Sequence, residues 1–333
     1  MKLTRIIIVI AVIGLIVGIA MWPSDQQETR KTVGKFRVGA YAGDTAALVW
    51  IADQQGYFRD HQLDITIIPY EAGKLAMDAL LAGEVDIATA AEFVFVSNSF
   101  AYSDLRIFGN IAKVQINEVV ARRDHGIQIP CDLQGKRIGV TRKSASEFYL
   151  GRFLLFHGLC IREIEVVDLN PSEIVAAMIA GEIDAALTWN PNVYEIKQQL
   201  GDTAVSWPGQ SDQEMFFVLA AKAPWLAWHP APVERFLHAL LEAEAFVQAH
   251  DAAAQQQIQE QFAYAADYMH YIWPKHQFRL TLPQSLLIAM EDEARWRLHN
   301  HLADRATSIP NYFTKLYFQG LEAVKPEALT VIR

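Results

Sequence analysis

The chain has 333 residues, 52% of them apolar and 20% charged, with a formal net charge of −9. That length sets a prior of about two domains, and the apolar share supports a sizeable core and excludes a disordered type. The acidic balance disfavours a nucleic-acid binder, which carries a basic patch.

Lys2 and Arg5 precede an unbroken apolar run from Ile6 to Trp22, after which PSDQQETRKT turns polar. Charge, apolar run and polar sequence in that order read as a signal peptide or a membrane anchor, which with its linker accounts for residues 1–30. The run falls short of the roughly 20 apolar residues of a full span. Its positive flank would stay in the cytoplasm and place the body outside. The plain alternative is a buried core helix. No cysteine lies near the run, so a lipid anchor is not expected. The two cysteines, Cys131 and Cys160, either form a disulfide in an oxidising compartment or stay as free buried thiols.

After the linker, FRVGAY (36–41) reads as a strand and GDTAALVWIADQQGYF as a helix, with Asp44 or Thr45 as cap and Gly56 as stop. LDITIIPY alternates as a strand does, AGKLAMDALLAG is helical with Gly83 as stop, and VDIATAA is a short buried strand. This β-α-β-α-β order predicts a mostly parallel sheet. The same order then returns. KRIGVT (136–141) is a strand, SASEFYLGRFLLFHG a helix capped by Ser144 or Ser146, IEVVDL a strand, NPSEIVAAMIAG a helix with a capping box at Asn170 and Glu173, and IDAALTW a strand. LLAGEVDIATAAEF (80–93) and MIAGEIDAALTWNP (178–191) are the visible echo, at an offset of about 98 residues. Two similar α/β lobes explain it. INEVVARR (116–123) and EMFFVLAAK (214–222) are β-like and fall where the chain leaves one lobe for the other, so they read as crossing strands of a hinge. From Ala223 onward the sequence is mainly helical, with an extended stretch at HQFRLTL and a last helix in NYFTKLYFQGLEAV.

In open α/β sheets, ligands bind beyond the carboxyl ends of the strands. Five loops meet that rule, at 41–45, 70–73, 89–93, 142–147 and 188–191. Thr45, Ser144 and Ser146 offer hydroxyls at helix starts, where free N–H groups suit an anion. Tyr41, Phe93, Tyr149 and Trp189 would form aromatic walls. Glu71, Glu92 and Glu214 are available to a ligand amine, and Asp44, Gly73 and Asn190 complete the candidate ligand set. Each has a plainer alternative: Ser144 and Ser146 as helix caps, Trp189 as core, Glu92 as a solvated carboxylate. Catalytic patterns are poor. There is no Walker sequence, G-x-G-x-x-G or G-x-S-x-G, and His299 and His301 lie on different helix faces, which suits no metal. His270 and His276, among aromatics, read as structural or surface histidines. No cofactor and no metal is expected.

The stretches GYFRDHQLDITIIPYEAGKLAMDALLAGEVDIATA, DLQGKRIGVTRKSASEFYLGRFL and AGEIDAALTWNP carry a family likeness over about 36–250. The chain resembles the periplasmic substrate-binding proteins of ABC transporters, in the nitrate/sulfonate/taurine branch that also holds binders of thiamine-precursor pyrimidines. The resemblance implies a two-lobe venus-flytrap (type II) α/β fold with an N-terminal signal or anchor helix and a helical C-terminal part. Lobe 1 would comprise 36–118 plus 216–333, and lobe 2 119–215. It implies a non-enzymatic protein that closes on a small ligand in the periplasm and docks on an ABC permease. Ser144 and Ser146 match the family's small-hydroxyl turn and Trp189 its W-x-P turn. Asn190 replaces a residue that is often acidic there, and the lipoprotein cysteine of many relatives is missing. Two rivals remain. One is a membrane-anchored sensor on the same fold. The other is a pyrimidine-synthesising enzyme, which would use a histidine and a cysteine cluster that the strand-end loops do not contain.

Overall fold

The computed structural model describes residues 34–211, 213–303 and 308–332; the signal or anchor reading of the N-terminus lies outside them. Two mixed sheets organise the body. The first is built from β1 (Gly34–Tyr41), β2 (Leu63–Tyr70), β3 (Ile87–Ala91), β4 (Leu105–Val114), β10 (Met215–Lys222) and β11 (His276–Thr281), in the order β11-β4-β10-β3-β1-β2. The second is built from β5 (Asn117–Arg122), β6 (Arg137–Val140), β7 (Glu165–Asp168), β8 (Ala185–Trp189) and β9 (Ala204–Pro208), in the order β7-β6-β8-β5-β9.

The two copies of the repeat form the parallel part of each sheet. β1 pairs in parallel with β2 and β3, and β6 does so with β7 and β8. The helices between them are α1 (Ala47–Gln54), α2 (Gly73–Ala82), α3 (Glu92–Ser99), α4 (Ala145–Phe156), α5 (Pro171–Ala180) and α6 (Asn192–Leu200). Gly83 and Gly181 end α2 and α5 at φ +79° and +75°, a conformation that costs glycine little and other residues more.

The expectation of mostly parallel sheets needs correction. β10 runs antiparallel to β3 and β4, and β5 runs antiparallel to β8 and β9. A strand that carries the chain from one sheet to the other enters its new sheet from the same end at which the previous strand left, so it must run against its neighbours. The crossing segments thus belong one to each sheet: INEVVARR supplies β5 and EMFFVLAAK supplies β10. β4, β9, α3 and α6 were not foreseen. FGNIA carries no clean period, because both faces of β4 are buried and a strand covered on both sides loses its alternation.

The chain passes between the sheets at Gln115–Ile116 and again over 209–214. Gln210 ties the two passages together. Its Nε2 donates to the Val114 and Gln213 carbonyls, and its Oε1 accepts from the N–H groups of Ile116 and Asn117. The helical C-terminal part has a defined role. α7 (Pro230–Ala249) covers the first sheet, followed by α8 (Asp251–Gln261), α9 (Ala266–Ile272) and α10 (Gln284–His299). α10 reaches both sheets' helices. Trp296 packs on Phe93 of α3 and on Phe148 of α4, and Arg152 of α4 pairs with Asp292 at 3.0 Å. Gly151 leaves room for that indole: a Cβ there would stand 2.4 Å from Trp296. The expected last helix is instead a 3-10 turn at Tyr312–Lys315 and a short helix at Gln319–Val324. Cys131 and Cys160 are both free and exposed, neither a disulfide nor buried thiols.

Candidate functional site

A small cavity lies where the strand ends of the two sheets face each other. Five of the sequence-predicted residues line it: Tyr41 at the end of β1, Thr45 and Gly73 from the following loops, Ser144 before α4 and Trp189 at the end of β8. Its other walls are residues the sequence did not single out. Lys74 follows Gly73 on α2, Ala145 opens α4, Val94 comes from α3, and Asn117, Met215 and Phe217 come from the crossing strands. The one usable signal for the last three was that their segments bridge the lobes.

Two helices begin at this cavity. α2 has no side-chain cap, since its N-cap is Ala72, so the first N–H groups stay unpaired within the helix and available to a ligand. Gly73 must be glycine: a Cβ would stand 2.7 Å from the Ala90 Cα. α4 is capped by Ser144, whose Oγ accepts from the Ser146 N–H and donates to the Thr141 carbonyl. Ser144 is therefore both a cap and a cavity wall.

Tyr41 and Trp189 close the cavity. The Trp189 Nε1–H donates to the Tyr41 hydroxyl at 3.2 Å, and Tyr41 is further fixed by the Trp50 indole, which donates to its carbonyl. Gly43 lets the ring fold back, because a Cβ there would meet the ring at 2.4 Å. Burial, and next the charge of Asp44, push the Tyr41 phenol far above its ordinary value. It stays neutral, and with its oxygen accepting from Trp189 it keeps its own proton to donate. Beyond this pair lies an outer groove that shares Tyr41 and Trp189 and is edged by Glu71 and Glu195.

The remaining predicted residues stand elsewhere. Asp44 is fully buried behind Thr45, where it accepts from Tyr268 at 2.6 Å and lies 3.5 Å from His276 Nε2. It does not cap a helix by its side chain. Glu92 is buried, not solvated: its Oε1 accepts from the Phe216 N–H, while its Oε2 has no partner. Burial pushes its carboxyl up to about 8. Glu293 of α10 is also fully buried, and burial and then the charge of Glu92 hold it well above the carboxylate range. Tyr149 is buried beside that pair and Ser146 is buried with an unpartnered hydroxyl. Asn190 donates to the Ile116 carbonyl and to Glu118. Glu214 pairs with Lys113 at 3.0 Å and opens on a different crevice, shared with Tyr271 and Lys275. Phe93 packs on Phe148 in the core.

His276 is structural, as its surroundings in the sequence suggested. Its Nδ1 faces the Ile272 carbonyl and its Nε2 lies 3.3 Å from the Thr45 hydroxyl. It thereby positions a cavity residue from a strand far along the chain. Among the described residues no group of His, Cys, Asp and Glu is arranged to hold a metal ion.

The comparisons with known proteins agree with this architecture. The family model described as NMT1/THI5 like matches residues 45–254. A protein of Brucella abortus (strain 2308) named as a binding protein is 26% identical over 213 residues, covering 59% of this chain and 61% of its own length. The taurine-binding periplasmic protein of Escherichia coli (strain K12) is 26% identical over 178 residues, 53% of this chain and 55% of that one. The alkanesulfonate-binding protein SsuA from Xanthomonas axonopodis pv. citri, solved bound to MOPS, superposes with a TM-score of 0.74 at 18% identity, over 85% of this chain and 98% of that one. The fold is that of the periplasmic binding proteins. The match spans only 61% of the length of the Brucella relative.

Proposed function

Because the chain belongs to the NMT1/THI5-like family, we propose that it is an extracytoplasmic solute-binding protein that captures a small anion or zwitterion of the sulfonate or taurine type and delivers it to an ABC permease. The two sheets would act as two lobes, 36–118 plus 216–333 and 119–215, that close on the ligand from opposite sides. One observation carries this reading: the starts of α2 and α4, from different sheets, face one small cavity. Helix starts present N–H donors and a positive dipole end; Lys74 of α2 lines the same wall, with its ammonium paired to Asp78 at 2.7 Å. A ligand that touches both lobes only when they are closed shifts the open–closed equilibrium by its differential affinity. A permease that recognises the closed form then senses occupancy. The relatives named for taurine and alkanesulfonates support the ligand class. No helix among the described residues is long and apolar enough to cross a membrane, so any anchoring would rest on the N-terminal run.

The walls of Tyr41, Phe217 and Trp189 favour a second reading, a heterocycle such as a thiamine-precursor pyrimidine. Thermal shift and calorimetry with sulfonates, taurine, nitrate, short carboxylates and aminopyrimidines separate the two. A native-state ligand raises the melting temperature with concentration. A sulfonate is expected to bind, and Trp189→Ala to weaken it by roughly a hundredfold, about 3 kcal/mol. Response to an aminopyrimidine alone would replace the anion reading with the second one. Unchanged affinity in Trp189→Ala would remove that residue from the site.

A further inference from the structure

Asn117 lines the cavity and is only 3% exposed, yet its Oδ1 has no hydrogen-bond partner. A buried acceptor left unpaired costs roughly 1–3 kcal/mol. The orientation of this amide is dictated by its neighbours. Gln210 Oε1 accepts from the main-chain N–H groups of Ile116 and Asn117, while Gln210 Nε2 faces two carbonyls, those of Val114 and Gln213. Gln210 can therefore stand only one way round. Its Oε1 is also 3.0 Å from the side-chain nitrogen of Asn117, which must be the donor, with a further contact to the Met215 sulfur at 3.6 Å. Flipping the Asn117 amide would set two carbonyl oxygens against each other. The free atom of Asn117 is thus fixed as an oxygen, an acceptor.

Two of the cavity's other polar features are of the opposite kind. The start of α2 and the Tyr41 hydroxyl proton donate, while the Lys74 ammonium is paired with Asp78. A simple anion would satisfy these and leave Asn117 Oδ1 as it is. We propose that Asn117 is a specificity-determining residue: its Oδ1 selects, among small anions, those that also carry an N–H donor, so the preferred ligand is an amino-substituted anion. This rests on the anion-binding reading given above and narrows it. Asn117 is also well placed for the task. It is the first residue of β5, immediately after the chain crosses between sheets, and Gln210 from the second crossing holds it. A ligand bonded there touches the hinge itself.

The test uses a matched pair, taurine and propane-1-sulfonate, in which a methyl group takes the place of the ammonium. A site that hydrogen-bonds an N–H discriminates against the analogue that lacks it. By calorimetry, taurine is expected to bind at least about tenfold more tightly than propane-1-sulfonate to the native protein. In Asn117→Leu, taurine weakens by about the same factor and the preference disappears. Because Asn117→Leu also removes the bond to Gln210, its melting temperature is measured alongside. Equal affinities in the native protein, or a preference that survives in Asn117→Leu, overturns this inference and leaves the anion reading intact. Binding of neither sulfonate overturns both.

Discussion

In the first copy of the repeat, the Arg37 main-chain N–H and side chain bond Asp86 while its guanidinium also reaches the Gly83 carbonyl at 3.0 Å. In the second copy, Arg137 bonds Asp184 in the same way and reaches the Gly181 carbonyl at 3.1 Å. The echo AGEVD/AGEID is thus a structural clasp. It ties the end of a helix to the strand entering the sheet. The copies part company at the next equivalent places. Where α5 opens with Asn170, whose main-chain N–H donates to the Glu173 carboxylate at 2.7 Å, α2 opens with Ala72 and no side-chain cap. Where β8 ends in Trp189 and Asn190 follows, β3 ends in Ala91 and Glu92 follows. One copy leaves its helix donors open to the cavity, and the other supplies the aromatic wall that closes over them. The cavity thus meets one helix start that no side chain caps, that of α2, and one that Ser144 caps, that of α4.

If the clasp is structural in both copies, breaking it should cost stability in both and ligand contacts in neither. Asp86→Asn and Asp184→Asn are each expected to lower unfolding stability by about 2 kcal/mol, the scale of a hydrogen-bonded charge partner lost, measured by denaturant titration. A tenfold loss of ligand affinity with unchanged stability would reverse the assignment. The clasps differ in one respect. Burial pushes the Asp184 carboxyl up, but bonds from Arg137 and His125 outweigh it and hold that group well below the carboxylate range.

Glu92 and Asn190 occupy equivalent positions, and only the first titrates. The Glu92 carboxyl is raised from 4.5 to about 8, so the native state keeps a proton that the unfolded chain has released. Between those values the native state binds more protons, and unfolding stability must fall as pH rises, by up to about 1.4 kcal/mol per pH unit. Glu293 faces it from α10 and adds to the trend, Tyr149 stays neutral beside them, and Arg152 opposes it. Glu92→Gln, which copies the amide of the second repeat, should flatten this slope between about pH 5 and about pH 8. A slope identical to that of the native protein would place the proton elsewhere.

The smallest expected effect is the most pointed. Ala72→Asn places a capping side chain at the start of α2. It should raise stability slightly and weaken anion binding by roughly fivefold, about 1 kcal/mol, because a side-chain oxygen then occupies the helix donors. Stronger or unchanged anion binding would show that the start of α2 does not hold the ligand.

By itself the sequence determined the paired architecture: two β-α-β-α-β units, their helix stops at Gly83 and Gly181, the capping box at Asn170 and the loops beyond the strand ends. These are local matters of periodicity, backbone conformation and capping, and each is legible within a dozen residues. It also singled out Tyr41, Thr45, Gly73, Ser144 and Trp189, which follow strand ends and line the cavity. Only the tertiary structure decided the rest. Asp44 and Glu92 look like ligand carboxylates in the sequence, but Tyr268 and Phe216, brought from far along the chain, engage them. Asn117 looks like an ordinary strand residue until Gln210, 93 residues away, fixes which of its side-chain atoms is left without a partner. Whether a polar group caps, pairs or waits for a ligand depends on which partners the fold brings within hydrogen-bond reach. That distance has no counterpart along the chain.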